Sequence, residues 1–119
     1  MVIVAVDFDG VLVSDKFPEI GDPDWSMIDA VRDVIDAGHT VILWTSRVHD
    51  RLREAYLWCL DEAWLRFSEV NAGAPENLKQ YGTDPRKIFA DVYIDDRAIG
   101  YSRETALNFL RQLAKEEIK

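Results

Sequence analysis

The segment Val2–Gly10, VIVAVDFDG, sets five apolar residues against two aspartates one residue apart. An apolar run of this length bounded by glycine reads as a buried strand. Side chains alternate in direction along a strand, so Asp7 and Asp9 point the same way from its end. Two carboxylates aimed together at the mouth of a buried strand lose hydration and repel one another. The rest of the chain must therefore supply something that neutralises them.

Working outward, the same pattern recurs. Thr40–Trp44, TVILW, reads as a second buried strand that ends on Thr45, Ser46 and Arg47, and Phe67–Val70 as a short third. Ile88–Ile94, IFADVYI, reads as another strand, ending on the pair Asp95-Asp96. Helical spacing fills the intervals. Ser26 opens a helix through Met27, Ile28, Val31, Val34 and Ile35 that stops at Gly38; a second runs from about Asp50 to Leu65; a short one covers Leu78–Tyr81; and Ser102 caps a last one through about Lys115. Ser14–Trp25, with Pro18, Gly21 and Pro23, reads as a loop long enough to cover something, and Asn71–Asn77 as another loop.

Strands alternating with helices imply an α/β fold, a parallel sheet wrapped by helices with right-handed crossovers. Ligand sites in such sheets lie at the carboxyl ends of the strands. Asp7, Asp9, Thr45, Ser46, Asp95 and Asp96 all fall there, and Lys87 stands just before the last strand.

At 119 residues the chain is expected to be one domain, 1–119, and its 48% hydrophobic content suffices for a core. The net charge of −8 opposes loose attachment to nucleic-acid phosphates or anionic lipid. Cys59 is the one cysteine, which excludes a disulfide framework and a cysteine zinc site. The N-terminal apolar run is short, carries Asp7 and lacks a basic leader, so it is read as neither signal peptide nor membrane span, and a cytoplasmic location is expected. Tyr56–Leu65 is apolar around most of its helix; a face bearing Leu57, Trp58, Leu60 and Trp64 is a candidate contact for a homo-oligomer.

Two unit charges about 4 Å apart repel by roughly 4 kcal/mol at an effective dielectric of 20, so four converging carboxylates require a cation. Oxygen donors with no His or Cys point to Mg2+, which retains waters and takes a substrate phosphate oxygen. With phosphate present, one carboxylate can attack phosphorus while a second acid protonates the leaving oxygen and later activates water. A hydroxyl and an ammonium group, of the types offered by Thr45 and Lys87, would hold the remaining phosphate oxygens.

D-F-D-G at the first strand end, T-S-R at the second, an upstream Lys and I-D-D at a later strand end together resemble, in order, the four motifs of the haloacid dehalogenase superfamily of phosphohydrolases. LWTSR, EVNAGAPENL and RKIFADVYIDDR are similar to its small, capless bacterial and phage members, and in part to the deoxyribonucleotidases. The resemblance implies a three-layer α/β/α sandwich with a Rossmann-like core. It also implies a Mg2+-dependent phosphomonoesterase in which Asp7 is the nucleophile and Asp9 the general acid/base, its backbone carbonyl reaching the metal. Thr45 would bind phosphate, with Ser46 and Arg47 beside it, and the Phe8 and Gly10 amides would assist. Lys87, or less readily Lys79, would stabilise the phosphoenzyme, and Asp95 with Asp96 would complete the metal site. Only 35 residues separate Asp9 from Thr45, too few for a cap domain. The expected substrate is a phosphorylated small metabolite or nucleotide rather than a polynucleotide. Alternatives are a 5′(3′)-nucleotidase, a polynucleotide end-phosphatase and a non-enzymatic phosphate-binding or receiver-like module; in a receiver the phosphoacceptor aspartate ends a middle strand, where this chain has Thr45 and Asn71.

Overall fold

The computed structural model describes residues 1–119. Four parallel strands, β1 (Ile3–Val6), β2 (Thr40–Leu43), β3 (Glu69–Val70) and β4 (Val92–Ile94), form one sheet in the order β3-β2-β1-β4. Helices α1 (Trp25–Asp36), α2 (His49–Asp61) and α3 (Pro75–Tyr81) connect them, and α4 (Arg103–Leu113) follows β4. The chain thus steps from β1 outward through β2 to β3, then returns to the other side of β1 as β4. This is a capless, Rossmann-like α/β/α arrangement in three layers, and β1, flanked by strands reached in opposite directions, lies at its switch point.

The two faces of the sheet are unequal because alternate residues of each strand feed different cores. Val4, Val6, Val41, Leu43 and Ile94 join α1, α2 and α4 in a cluster of 22 buried residues. Ile3, Ala5 and Ile42 face the other way and meet Ala74, Ile88 and Ala90 in a cluster of 6, with the half-buried Trp44 packed against it. Helix α3 buries no residue of its own. Since a fully buried Val, Leu or Ile contributes about 1.5–3 kcal/mol, the first face carries most of the stability.

Several boundaries differ from the sequence reading for local reasons. Helix α1 is capped by Asp24, not Ser26: the Asp24 carboxylate accepts from the Met27 amide at 3.3 Å and is gripped by Arg103 of α4 at 2.6 and 3.0 Å. Helix α2 ends at Asp61 rather than Leu65, because the chain turns back with Trp64 at φ 56° and the Leu65 amide donates to the Cys59 carbonyl at 2.8 Å. Helix α3 starts at Pro75, the first helical turn being a favoured place for proline. The Ile88–Asp91 half of the last expected strand is not strand. There the Tyr93 hydroxyl donates to the Ile88 carbonyl at 2.6 Å and accepts from the Ala90 amide at 3.2 Å, closing a turn beside the sheet.

On α2, Trp58 packs edge-on against Phe8 with ring centroids 6.0 Å apart, whereas Leu57 and Trp64 are exposed. Burial pushes the Cys59 thiol up to about 12, as suits a small core residue. His39 is likewise structural: its Nδ1 accepts from the Val2 amide at 3.1 Å and its Nε2 lies 2.7 Å from the Glu116 carbonyl. No helix is long and apolar enough to cross a membrane. Replacing the shared cap, Asp24→Ala, is expected to cost about 1–2 kcal/mol, read as a lower urea midpoint at unchanged slope.

Candidate active site at the ends of β1, β2 and β4

The parallel register places the site. Val6 pairs with Leu43 on one side and Ile94 on the other, and the Asp7 amide extends the ladder by donating to the Ile94 carbonyl at 3.0 Å. The residues that follow these strands, Asp7, Trp44 and Asp95, therefore emerge side by side. Carboxylate oxygens of Asp7, Asp95 and Asp96 lie within 4.8 Å of one another. Gly10 makes room for this approach: at φ 87° it holds a conformation that disfavours a side chain, and a Cβ there would stand 2.1 Å from Asp96 Oδ2.

Burial, followed by repulsion from Asp95 and Asp96, drives the Asp7 carboxyl up to about 7, although the Phe8 amide, donating to its Oδ1 at 2.8 Å, pulls the other way. Asp96 Oδ1 is buried without a hydrogen-bond partner. Three crowded carboxylates, one with an orphaned oxygen and none with a basic side chain bonded to it, offer oxygen donors that could hold a hard divalent cation.

Beside this cluster opens a cavity of about 540 Å3 lined by Asp7, Asp9, Trp44, Thr45, Ser46, Arg47 and Asp95, with Asp15, Phe17 and Arg97 at the loops. Thr45 is fixed from two directions. The Asn71 side chain accepts from its amide at 2.8 Å and donates to its carbonyl at 3.0 Å, while its Oγ1 accepts from the Arg47 amide at 3.1 Å. With that lone pair engaged, the hydroxyl proton is free to donate elsewhere. Asn71 was expected only as a loop residue. It sits at φ 52°, a conformation asparagine tolerates better than most residues, and its place just after β3 was the available signal.

Several expected site residues have other partners or positions. The Gly10 amide donates to the Val13 carbonyl at 2.8 Å, so it is already committed, and the Phe8 amide serves Asp7 rather than facing a ligand. Arg47 is not a free phosphate ligand: its side chain is 1% exposed and bonds Asp9 through both carboxylate oxygens, each at 2.8 Å. Asp9 in turn directs its side chain to Arg47, so its carboxylate is not among the converging oxygens of Asp7, Asp95 and Asp96, and the metal contact expected of it is that of its backbone carbonyl. Lys87 does not line the cavity; its Nζ lies 5.3 Å from the Tyr93 ring centre, and Lys79 is exposed on α3. The turn at Ile88–Asp91 keeps Lys87 with the thin face of the sheet. The exposed cation at the cavity is Arg97, whose amide also donates to Asp95 Oδ1 at 2.9 Å.

Among solved structures, the chain matches a conserved protein from Bacteroides thetaiotaomicron with a TM-score of 0.80 and 31% identity, over 99% of this chain and 93% of that one. The chain belongs to that protein's family. The match covers both the strand ends and the loops that build the cavity. No protein-family model and no curated protein sequence matches the chain.

A carboxyl whose affinity for protons is raised by folding stabilises the protein only while it is protonated. For Asp7 that contribution is complete below about pH 4 and is lost as the pH rises through about 7. The metal-free melting temperature should therefore fall across this window, Asp7→Asn should flatten the fall, and Mg2+ should raise the melting temperature more at pH 8 than at pH 5. Equal Mg2+ shifts at both values in a thermal scan would remove the cluster as the binding site.

Proposed function

We propose that the chain is a Mg2+-dependent phosphomonoester hydrolase of the haloacid dehalogenase type that works through an aspartyl-phosphate on Asp7. The observation that carries this reading is the convergence of Asp7, Asp95 and Asp96 beside the cavity floored by Thr45 and Ser46. Asp7, Asp95 and Asp96 would hold the metal, and the bound cation would offset their charge and that of the phosphate. A carboxylate is a nucleophile only when ionised, so relieving the Asp7 desolvation and repulsion serves both binding and reactivity.

In the forward step an Asp7 oxygen would bond to phosphorus as the bond to the leaving oxygen breaks, and Asp9, carrying a proton on an oxygen lone pair that Arg47 leaves free, would donate it to that oxygen. In the second step Asp9 accepts a proton from water, whose oxygen displaces Asp7 from phosphorus to give inorganic phosphate and the free carboxylate. The Thr45 hydroxyl donates to a phosphate oxygen. The amides of Asp9 and Ser46, which serve no acceptor within the chain, are placed to do the same. With Lys87 remote, Arg97 is the available side-chain cation.

Nucleoside monophosphates are a second reading of the substrate, favoured by Phe17 and Trp44, two aromatic residues that line the cavity. Hydrolysis of p-nitrophenyl phosphate in Mg2+ should fall roughly 10⁴-fold in Asp7→Asn, in line with losing a nucleophile that acts as part of a unit. Full activity in that variant sinks the assignment. A panel of nucleotides against sugar phosphates, ranked by kcat/KM, decides between the two substrate classes.

A further inference from the structure

The chain of contacts around Arg47 goes beyond an ion pair. Besides gripping Asp9, its guanidinium donates to the carbonyls of Pro18 at 3.0 Å and Glu19 at 2.8 Å. It lies 5.1 Å from the ring centres of both Phe8 and Phe17. Pro18, Glu19 and Phe17 belong to the tip of the Ser14–Asp22 segment. The base of that segment is closed separately: the Ser14 amide donates to the Asp22 carbonyl at 2.8 Å, the Asp22 amide donates to Ser14 Oγ at 2.8 Å, and Lys16 pairs with Asp22 at 2.9 Å.

The tip is otherwise exposed from Ser14 to Glu19, yet it carries Asp15 and Phe17 to the cavity. One buried cation thus joins the side chain assigned to proton transfer and the loop that walls the substrate space. The fork geometry matters here, because Arg47 makes four of these bonds from a planar group with five N–H donors, and Lys, with three donors on one nitrogen, cannot reproduce all four.

We propose that Arg47 is a positioning residue that fixes Asp9 and the Ser14–Asp22 segment relative to each other, so that proton transfer and closure of the cavity wall depend on one side chain. This rests on the phosphohydrolase reading for its activity half, whereas its tethering half does not. Arg47 touches no reacting atom; it acts through Asp9 and through the loop.

The test uses the full chain with Arg47→Gln, Arg47→Lys, Asp9→Asn and the double variant Arg47→Gln/Asp9→Asn, which removes the buried charge that Arg47→Gln alone would strand. Two readouts are taken. The first is tryptic cleavage at Lys16–Phe17, followed by mass spectrometry, which should accelerate at least on the order of tenfold in Arg47→Gln as the tip is released. The second is Mg2+-supported hydrolysis, which should drop on the order of 100-fold in Arg47→Gln, as expected for a misplaced catalytic group.

If Arg47 acts through Asp9, the Arg47→Gln loss should nearly vanish in the Asp9→Asn background. Arg47→Lys, keeping the charge without the fork, should leave both readouts closer to Arg47→Gln than to the unaltered chain. Losses that multiply in the double variant, or wild-type cleavage at Lys16 in a folded Arg47→Gln or Arg47→Lys protein, would overturn the proposal. Absence of hydrolysis in the unaltered chain would instead fail the phosphohydrolase reading, and the cleavage rate would still decide the tether.

Discussion

The interaction on which the rest depends is the repulsion among Asp7, Asp95 and Asp96. It is imposed by the sheet itself: β1 and β4 pair in parallel and end together, so the residues that follow them cannot be far apart. Three carboxylates thus converge at the ends of two neighbouring strands, and burial and mutual repulsion hold Asp7 well above its ordinary range. Neighbouring features serve this crowding. Gly10 is bare so that Asp96 can approach, and the Phe8 amide is spent on stabilising the Asp7 carboxylate. A cation bound among these carboxylates would relieve that repulsion.

The second pair of charges is solved differently. Asp9 lies one residue beyond Phe8 on the same chain segment, but its compensation comes from within the protein, from a guanidinium buried between two aromatic rings. The site therefore separates its acidic groups into a set left for an external cation and one already paired internally. Two aspartates that look equivalent in sequence are placed in opposite electrostatic situations by the residues around them.

Much of this was legible from residue order. Apolar runs that end in polar groups at Asp7, Thr45 and Asp95 located the strands and the carboxyl-end site, because burial and the period of two act on the chain directly. What escaped was set by contacts between distant segments. Asp24 displaced Ser26 as a cap because Arg103, 79 residues away, reinforces it. Arg47 could be seen to lie near phosphate-type residues, but not that Asp9 and the carbonyls of Pro18 and Glu19 had claimed it. The Gly10 amide was lost to a local turn, and Lys87 followed a segment whose strand-like sequence is bent by the hydroxyl of Tyr93. Asn71, the residue that clamps Thr45, stood at a strand end and within a resembling stretch, but its amide has no charge or nucleophile to mark it as part of the site.

The inequality of the two sheet faces has a consequence for how the molecule opens. A layer secured by six buried residues and a helix that buries none is the part whose local unfolding exposes little apolar surface. Amides of the Pro75–Tyr81 helix should therefore exchange with solvent through openings that leave β1 and β2 closed, whereas those of α1 and α4 exchange only when the larger cluster disperses. The platform carrying Asp7 thus belongs to the last cooperative unit to unfold, and the chain on the thin side, Lys87 included, to the first.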